Sequence, residues 1–160
     1  MVISKDQKTK LIDNAANYSD FLRNLLTSNN ELKKNLENYI DKPFNSSELQ
    51  NYLSNKKINS EQTLNSALRQ ARQLFYSLGI VRDVNGMASL EEIFDLNCSL
   101  AETFLHYAHD FYLKELTKVY GSPQDEKGKK SNLIIVGMGK LGGYELNSSS
   151  DIDIIFLYDS

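Results

Sequence analysis

A chain of 160 residues has room for about one domain, and 41% hydrophobic content suits a globular protein rather than a disordered or fibrous one. The formal net charge of −3 supplies no basic footprint for nucleic acid, and no uncharged apolar run reaches the ~18 residues of a membrane span. The first residues, MVISKDQKTKLIDNAANYSD, lack the apolar segment of a secretory signal, and the one cysteine, Cys98, builds no disulfide framework; both point to the cytoplasm.

Residues 10–27 place Leu11, Ala15, Tyr18, Leu22, Leu25 and Leu26 at three- and four-residue intervals, which predicts one amphipathic helix. Ser28-Asn29-Asn30 interrupts it. Leu32, Leu36, Tyr39 and Ile40 predict a second, shorter helix that stops before Pro43. Ser46 or Ser47 stands where it can cap a third, carrying Leu49, Tyr52 and Leu53.

A longer helix is predicted from about Ser60 to Leu78, with Leu64, Ala67, Leu68, Ala71, Leu74, Phe75 and Leu78 inward and Gly79 at its C′ position. RDVNG, residues 82–86, reads as a turn. Arg82-Asp83 within it is most simply a local ion pair.

Ser89-Leu90-Glu91-Glu92 has the spacing of a capping box and opens the longest predicted helix, about 90–119. Its inward stripe is Ile93, Asn97, Leu100, Phe104, Ala108, Phe111 and Glu115, and Gly121-Ser122-Pro123 ends it. Cys98 within that pattern reads as a small buried residue. His106 and His109, at i and i+3 without an evident third ligand, read as packing or surface residues rather than a zinc site.

Residues 1–121 thus form a helical N-terminal region, and 122–132, with its KGKK run, a polar linker. From residue 133 the pattern changes. Leu133–Val136 is a short continuous apolar run, and Ile152 with Ile154–Tyr158 makes another; both read as strands. The expected class is α+β. Two strands alone are marginal, so the sheet reads as incomplete, with Ile154–Leu157 an aggregation hazard if left bare.

Between the strands lies VGMGKLGGYELNSSSDIDIIFLYD, residues 136–159. Gly137, Gly139 and Gly142 match G-x-G-x-x-G, but a dinucleotide site needs a crossover helix and a parallel strand behind them. Eight residues separate Gly142 from Asp151, too few for a crossover of about 10–12. A P-loop is excluded because Ile134 stands where it needs glycine and Leu141 where it needs a hydroxyl. An ordinary turn explains the glycines and serines but leaves two like charges, Asp151 and Asp153, at the head of an apolar strand, which costs stability. Paired carboxylates on one strand are instead suited to holding one or two Mg²⁺ ions, with a glycine turn giving phosphates close access to backbone N–H groups.

This constellation resembles the nucleotidyltransferase superfamily of DNA polymerase β. More specifically, Gly137–Phe156 is similar almost throughout to the run G-M-G-K-L-G-G-x-E-L-N-x-S-S-D-I-D-[L/I]-I-F of the bifunctional glutamine synthetase adenylyltransferase/adenylyl-removing enzymes. Tyr18-Ser19-Asp20-Phe21, Leu68-Arg69 through Arg72, and Gly79–Gly86 resemble upstream segments of the same family more loosely.

The resemblance implies a polymerase β-like sheet beginning at residues 133–160, after the helical region. It implies the adenylyl-removing half, which takes AMP off a glutamine synthetase tyrosine by phosphorolysis and releases ADP; the family's other half attaches AMP from ATP. Asp151 and Asp153 would be Mg²⁺ ligands. Gly139, Lys140, Gly142, Gly143 and Ser150 would be nucleotide- or phosphate-binding, with Ser149 and Ser150 also shaping the turn. Glutamine synthetase would be the protein substrate, and PII signalling protein and glutamine the effectors. A third carboxylate on a later strand has no counterpart before Ser160, so the chain reads as the front piece of such an enzyme, inactive alone. The alternative is an inactive helical module that only docks on glutamine synthetase.

Overall fold

The computed structural model describes residues 3–158. Helices α1 (Lys5–Tyr18), α2 (Asp20–Ser28), α3 (Asn30–Tyr39), α4 (Ser46–Ser54), α5 (Glu61–Val84) and α6 (Leu90–Tyr120) precede strand β1 (Leu133–Met138), the one-turn helix α7 (Gly139–Gly142) and strand β2 (Asp153–Tyr158). The class is α+β, mostly helical with a small antiparallel sheet. Among the described residues no helix is long and apolar enough to cross a membrane.

Small polar residues start the helices. Ser4, Ser19, Asn29, Asn45, Ser60 and Ser89 each lie in extended backbone and accept a first-turn N–H on the side-chain oxygen, which satisfies a donor the helix itself leaves open. Two of these caps correct sequence expectations. The single helix over 10–27 is two, because Ser19 closes α1 and caps α2 through the Leu22 N–H. Arg23 then folds back onto the Ala16 and Asn17 carbonyls at 3.1 and 3.3 Å, satisfying open acceptors at the end of α1. Asn45, rather than Ser46 or Ser47, caps α4.

The helix expected to stop at Leu78 runs on to Val84 with Gly79 inside it, so Gly79 is not a C′ residue. A Cβ there would meet Leu96 Cδ1 of α6 at 3.2 Å; the glycine serves the close approach of α5 and α6. Of the expected turn at 82–86, Arg82–Val84 are still helical, and the reversal is made by Asn85 and Gly86, the latter at φ +66°. The Asn85 side-chain amide donates to the carbonyls of Val81 and Leu11, tying the end of α5 to α1.

Arg82 does not pair with Asp83. Its buried guanidinium meets the Glu92 carboxylate at 2.6 Å. That contact also decides the expected capping box. Ser89 does cap α6 through the Glu92 N–H, but the Glu92 side chain turns to Arg82 and to the Phe44 N–H.

The main core gathers around Phe75 of α5, whose ring meets those of Tyr39, Phe44 and Tyr52 edge-on at 5.4, 6.1 and 5.8 Å. Ile12, Leu22, Leu36, Leu53 and Leu78 are completely buried in it. The stripe expected along α6 is fully inside only over its first half: Ile93, Asn97 and Leu100 are buried with Leu96 and Thr103, whereas Phe104, Ala108, Phe111 and Glu115 are half-buried, and the last residues of the helix, Val119 and Tyr120, are exposed. Gly121, at φ +80°, ends the helix. Residues 122–132 form an ordered turn, in which Gln124 bridges Lys130 and Asp125 Oδ1 accepts the Lys127 and Lys129 N–H groups.

β1 and β2 run antiparallel with Leu133 opposite Tyr158, Gly137 opposite Ile154 and Met138 opposite Asp153. Directly opposed residues share a face. Ile154 thus lies on the face turned to α6, where it packs against Cys98, Leu141 and Leu146. Ile134, Ile155 and Leu157 lie on the other face and are 45–50% exposed.

Candidate functional site

The site is built from the hairpin end where β1 passes into α7 and β2 begins. Met138 and Asp153 are the last cross-strand pair. Asp153 is the first residue of β2 and exposed; Asp151, also exposed, precedes the strand rather than belonging to it. This corrects the expectation that both carboxylates project from one strand.

Gly139 follows the pair at φ +54°, where a residue with a side chain is strained. A Cβ at that position would stand 3.3 Å from Asp153 Oδ2. The glycine therefore keeps the space beside this carboxylate clear. Gly142 answers a different need: its Cβ would lie 2.6 Å from the Gly137 carbonyl oxygen, closer than any backbone tolerates. Gly143, in ordinary helical conformation, is under neither constraint. Lys140 is exposed on α7, and its carbonyl accepts the Glu145 N–H at 2.8 Å.

The glycine turn is bolted to α6 by Leu141 and Leu146, both buried against Cys98. Burial pushes the Cys98 thiol above its usual range; a backbone hydrogen bond at Leu146 opposes this, and Glu102 and Asp95 add to it. The residue is a small buried packer, as its place in the helical pattern implied. Tyr144, at φ +59°, reaches Asp95 Oδ1 on α6 with its hydroxyl at 3.3 Å. Burial raises its pKa as well, with the Ser99 hydroxyl opposing and Glu102 and Asp95 adding.

Beyond Leu146 the chain makes a compact polar turn. Asn147 Oδ1 accepts the Ser149 N–H and the Ser150 hydroxyl, and the Asn147 carbonyl accepts the Ser150 N–H. The Ser150 hydroxyl is thus engaged in shaping the turn. Ser148 gives its carbonyl to the Tyr76 hydroxyl of α5 at 2.7 Å. Neither Tyr76 nor Tyr144 is legible as a site residue in the sequence, since their partners lie 72 and 49 positions away.

His106 and His109 line a groove of about 580 Å³ between α6 and β1, together with Glu102, Leu133, Ile135 and Tyr144. Among the described residues no three or more His, Cys, Asp or Glu side chains are grouped to hold a metal ion. The assembled features are therefore two exposed carboxylates, a glycine turn opened beside one of them, and a turn tethered to both long helices.

Residues 9–160 match the family described as glutamate-ammonia ligase adenylyltransferase. The chain is 34% identical over 158 residues to the bifunctional glutamine synthetase adenylyltransferase/adenylyl-removing enzyme of Aromatoleum aromaticum, covering 99% of this chain and 17% of that protein. The protein of the same description from Chromobacterium violaceum is 36% identical over 148 residues, 92% of this chain and 16% of its own. That of Nitrosomonas europaea is 34% identical over 161 residues, 98% and 17% respectively. The chain spans about one-sixth of the length of these curated relatives. On this match, which runs through both the helical region and the glycine turn, the chain belongs to the glutamate-ammonia ligase adenylyltransferase family.

Proposed function

We propose that this chain supplies the helical N-terminal region and the first catalytic elements of a nucleotidyltransferase that removes AMP from adenylylated glutamine synthetase. The observation that carries the reading is the Asp153 carboxylate lying beside Gly139, where a side chain at position 139 would crowd it. Relatives over the whole of this segment bear the names adenylyltransferase and adenylyl-removing enzyme.

The donor set suits Mg²⁺, a hard cation that takes carboxylate oxygens and keeps several waters. Asp151 and Asp153 would hold it. When bound, it would neutralise charge on the phosphate groups and help align them. Around it, Gly139 leaves room for phosphate beside the Asp153 carboxylate, and Lys140 adds positive charge on the exposed side of α7. In phosphorolysis an oxygen of inorganic phosphate forms a bond to the AMP phosphorus, the bond to the tyrosine oxygen breaks, and a proton passes to that oxygen. The products are ADP and the free tyrosine. A third carboxylate would complete the ligand set.

The test is to incubate adenylylated glutamine synthetase with Mg²⁺ and inorganic phosphate, and to follow loss of the AMP adduct by intact mass. It is run with the 160-residue chain and with a full-length relative carrying this segment in place of its own. The expected result is no turnover by the short chain and phosphate-dependent turnover by the full-length enzyme, abolished by Asp151→Asn while AMP attachment persists. Undiminished removal in Asp151→Asn would defeat the metal assignment.

A second reading, docking on glutamine synthetase without turnover, is favoured by the lack of a third grouped ligand among the described residues. Binding of the short chain to glutamine synthetase, together with no loss of removal in the Asp151→Asn enzyme, would select it.

A further inference from the structure

From Gly143 to Ile152 the chain has neither helix nor strand, and Leu146 is its one buried side chain. A segment of that kind opens readily unless something holds it. One hold is local, with Tyr144 on Asp95 and Leu146 against Cys98. The other comes from the helical region: the Tyr76 hydroxyl donates to the Ser148 carbonyl at 2.7 Å, three residues before Asp151.

Tyr76 is itself pinned. Phe21, the second residue of α2, meets its ring edge-on with centroids 5.1 Å apart and planes at 82°. The Arg72 guanidinium lies 5.5 Å from the ring centroid, one turn back along α5. A ring clamped in this way on a long helix presents its hydroxyl at one place, and the carbonyl it meets belongs to the turn that leads into β2.

We propose that Tyr76 is a positioning residue for the metal-binding carboxylates: by holding the Ser148 carbonyl it fixes the Asn147–Ser150 turn and the path by which Asp151 reaches β2. Phe21 carries that constraint from α2. The helical region thereby acts on the site without touching a ligand. The inference rests on the reading of Asp151 and Asp153 as Mg²⁺ ligands, and its test separates the two.

Tyr76→Phe keeps the ring against Phe21 and removes only the hydroxyl. In the 160-residue chain, hydrogen exchange read by NMR should quicken about two- to tenfold at the Ser149 and Ser150 amides, the range one net hydrogen bond supports, while α5 amides stay unchanged. The Mn²⁺ dissociation constant, titrated as a probe of the carboxylates, should rise in proportion, with Tyr120→Phe as an inert control.

Unchanged exchange at Ser149 and Ser150 would overturn the proposal, as would an equal rise throughout α5, which marks a merely structural role. Quicker loop exchange with Mn²⁺ affinity intact would also overturn it. If the unsubstituted chain and Asp151→Asn are equally indifferent to Mn²⁺, the metal reading fails instead. Loop exchange would then still decide whether Tyr76 is the tether.

Discussion

Arg82 and Glu92 form a two-point ion pair between α5 and the start of α6, with Nε on Oε1 at 2.6 Å and Nη2 on Oε2 at 3.1 Å. The same guanidinium donates to the Ile40 and Met87 carbonyls, and Glu92 Oε1 accepts the Phe44 N–H. One buried pair thus ties α3, the segment leading to α4, α5 and α6 together. Both side chains are nearly buried, at 4% and 13% exposure, so removing either partner strands a desolvated charge.

Arg82→Ala and Glu92→Ala should therefore each destabilise the chain by about 3–5 kcal/mol, and the double variant by much less than the sum. The chain has no tryptophan, so urea unfolding followed by far-UV circular dichroism is the suitable measurement. Single losses below about 1 kcal/mol would show that the pair behaves as an exposed one.

Gly142→Ala places a methyl against the Gly137 carbonyl oxygen, with only 2.6 Å between them. Backbone cannot yield as a side-chain tip does. A destabilisation of about 1–3 kcal/mol is expected, with faster hydrogen exchange concentrated in β1 and β2. Gly143→Ala, which meets only the Gly139 carbonyl at 3.5 Å, should be tolerated. Equal behaviour of the two variants would contradict this account of the turn.

Cys98 gives the chain an alkaline sensitivity. Its folded-state pKa is raised by burial above the ~8.5 of an unfolded thiol, so the native state keeps the proton longer. Above about pH 8.5 the unfolded state binds fewer protons, and stability falls as pH rises toward the folded value; below that window the contribution is fully present. Tyr39, Tyr107 and Tyr144, also raised chiefly by burial, steepen the fall only above about pH 10. Urea unfolding in reductant should show a smaller loss for Cys98→Ala than for the unsubstituted chain between about pH 8 and 10. Parallel pH profiles would dispose of the idea.

The sheet should drive self-association of the isolated chain. Ile134, Ile155 and Leu157 share its outer face at 45–50% exposure, and a two-stranded sheet leaves an unpaired edge on each strand. Sedimentation velocity should show concentration-dependent oligomers that Ile155→Lys diminishes, since charge on such a face opposes edge pairing. A monodisperse monomer at all concentrations would rule this out.

Much of the architecture is legible in the chain because it depends on local energetics. Ser60 and Ser89 announce helix starts through caps that act within three residues. Leu64, Ala67, Ala71, Leu74 and Leu78 mark the buried face of α5 by spacing alone. Ser19 was missed because the apolar stripe continues across it while the backbone does not: Tyr18, in the expected stripe, is 77% exposed. The run from Gly137 to Phe156 is long enough to identify the family before any coordinate is known.

The glycines, too, are visible in the sequence, but their separate duties are not. Gly79 looks like a helix end and is a contact surface for Leu96; Gly139 clears space beside a carboxylate; Gly142 sits on a carbonyl. Glu92 has the spacing of a capping box, yet a guanidinium ten positions back is the stronger partner for its charge. By itself, then, the sequence determined the helical character of the first 120 residues, the two strands, the order of the glycine turn and its aspartates, and the family. Which faces meet, and so the Arg82–Glu92 pair, the passage of α5 through Gly79 and the Tyr76 hold on the Ser148 carbonyl, was decided only in the tertiary structure. The reason is range: caps and periodicity act within a turn or two of the backbone, whereas those contacts exist only once distant segments have packed.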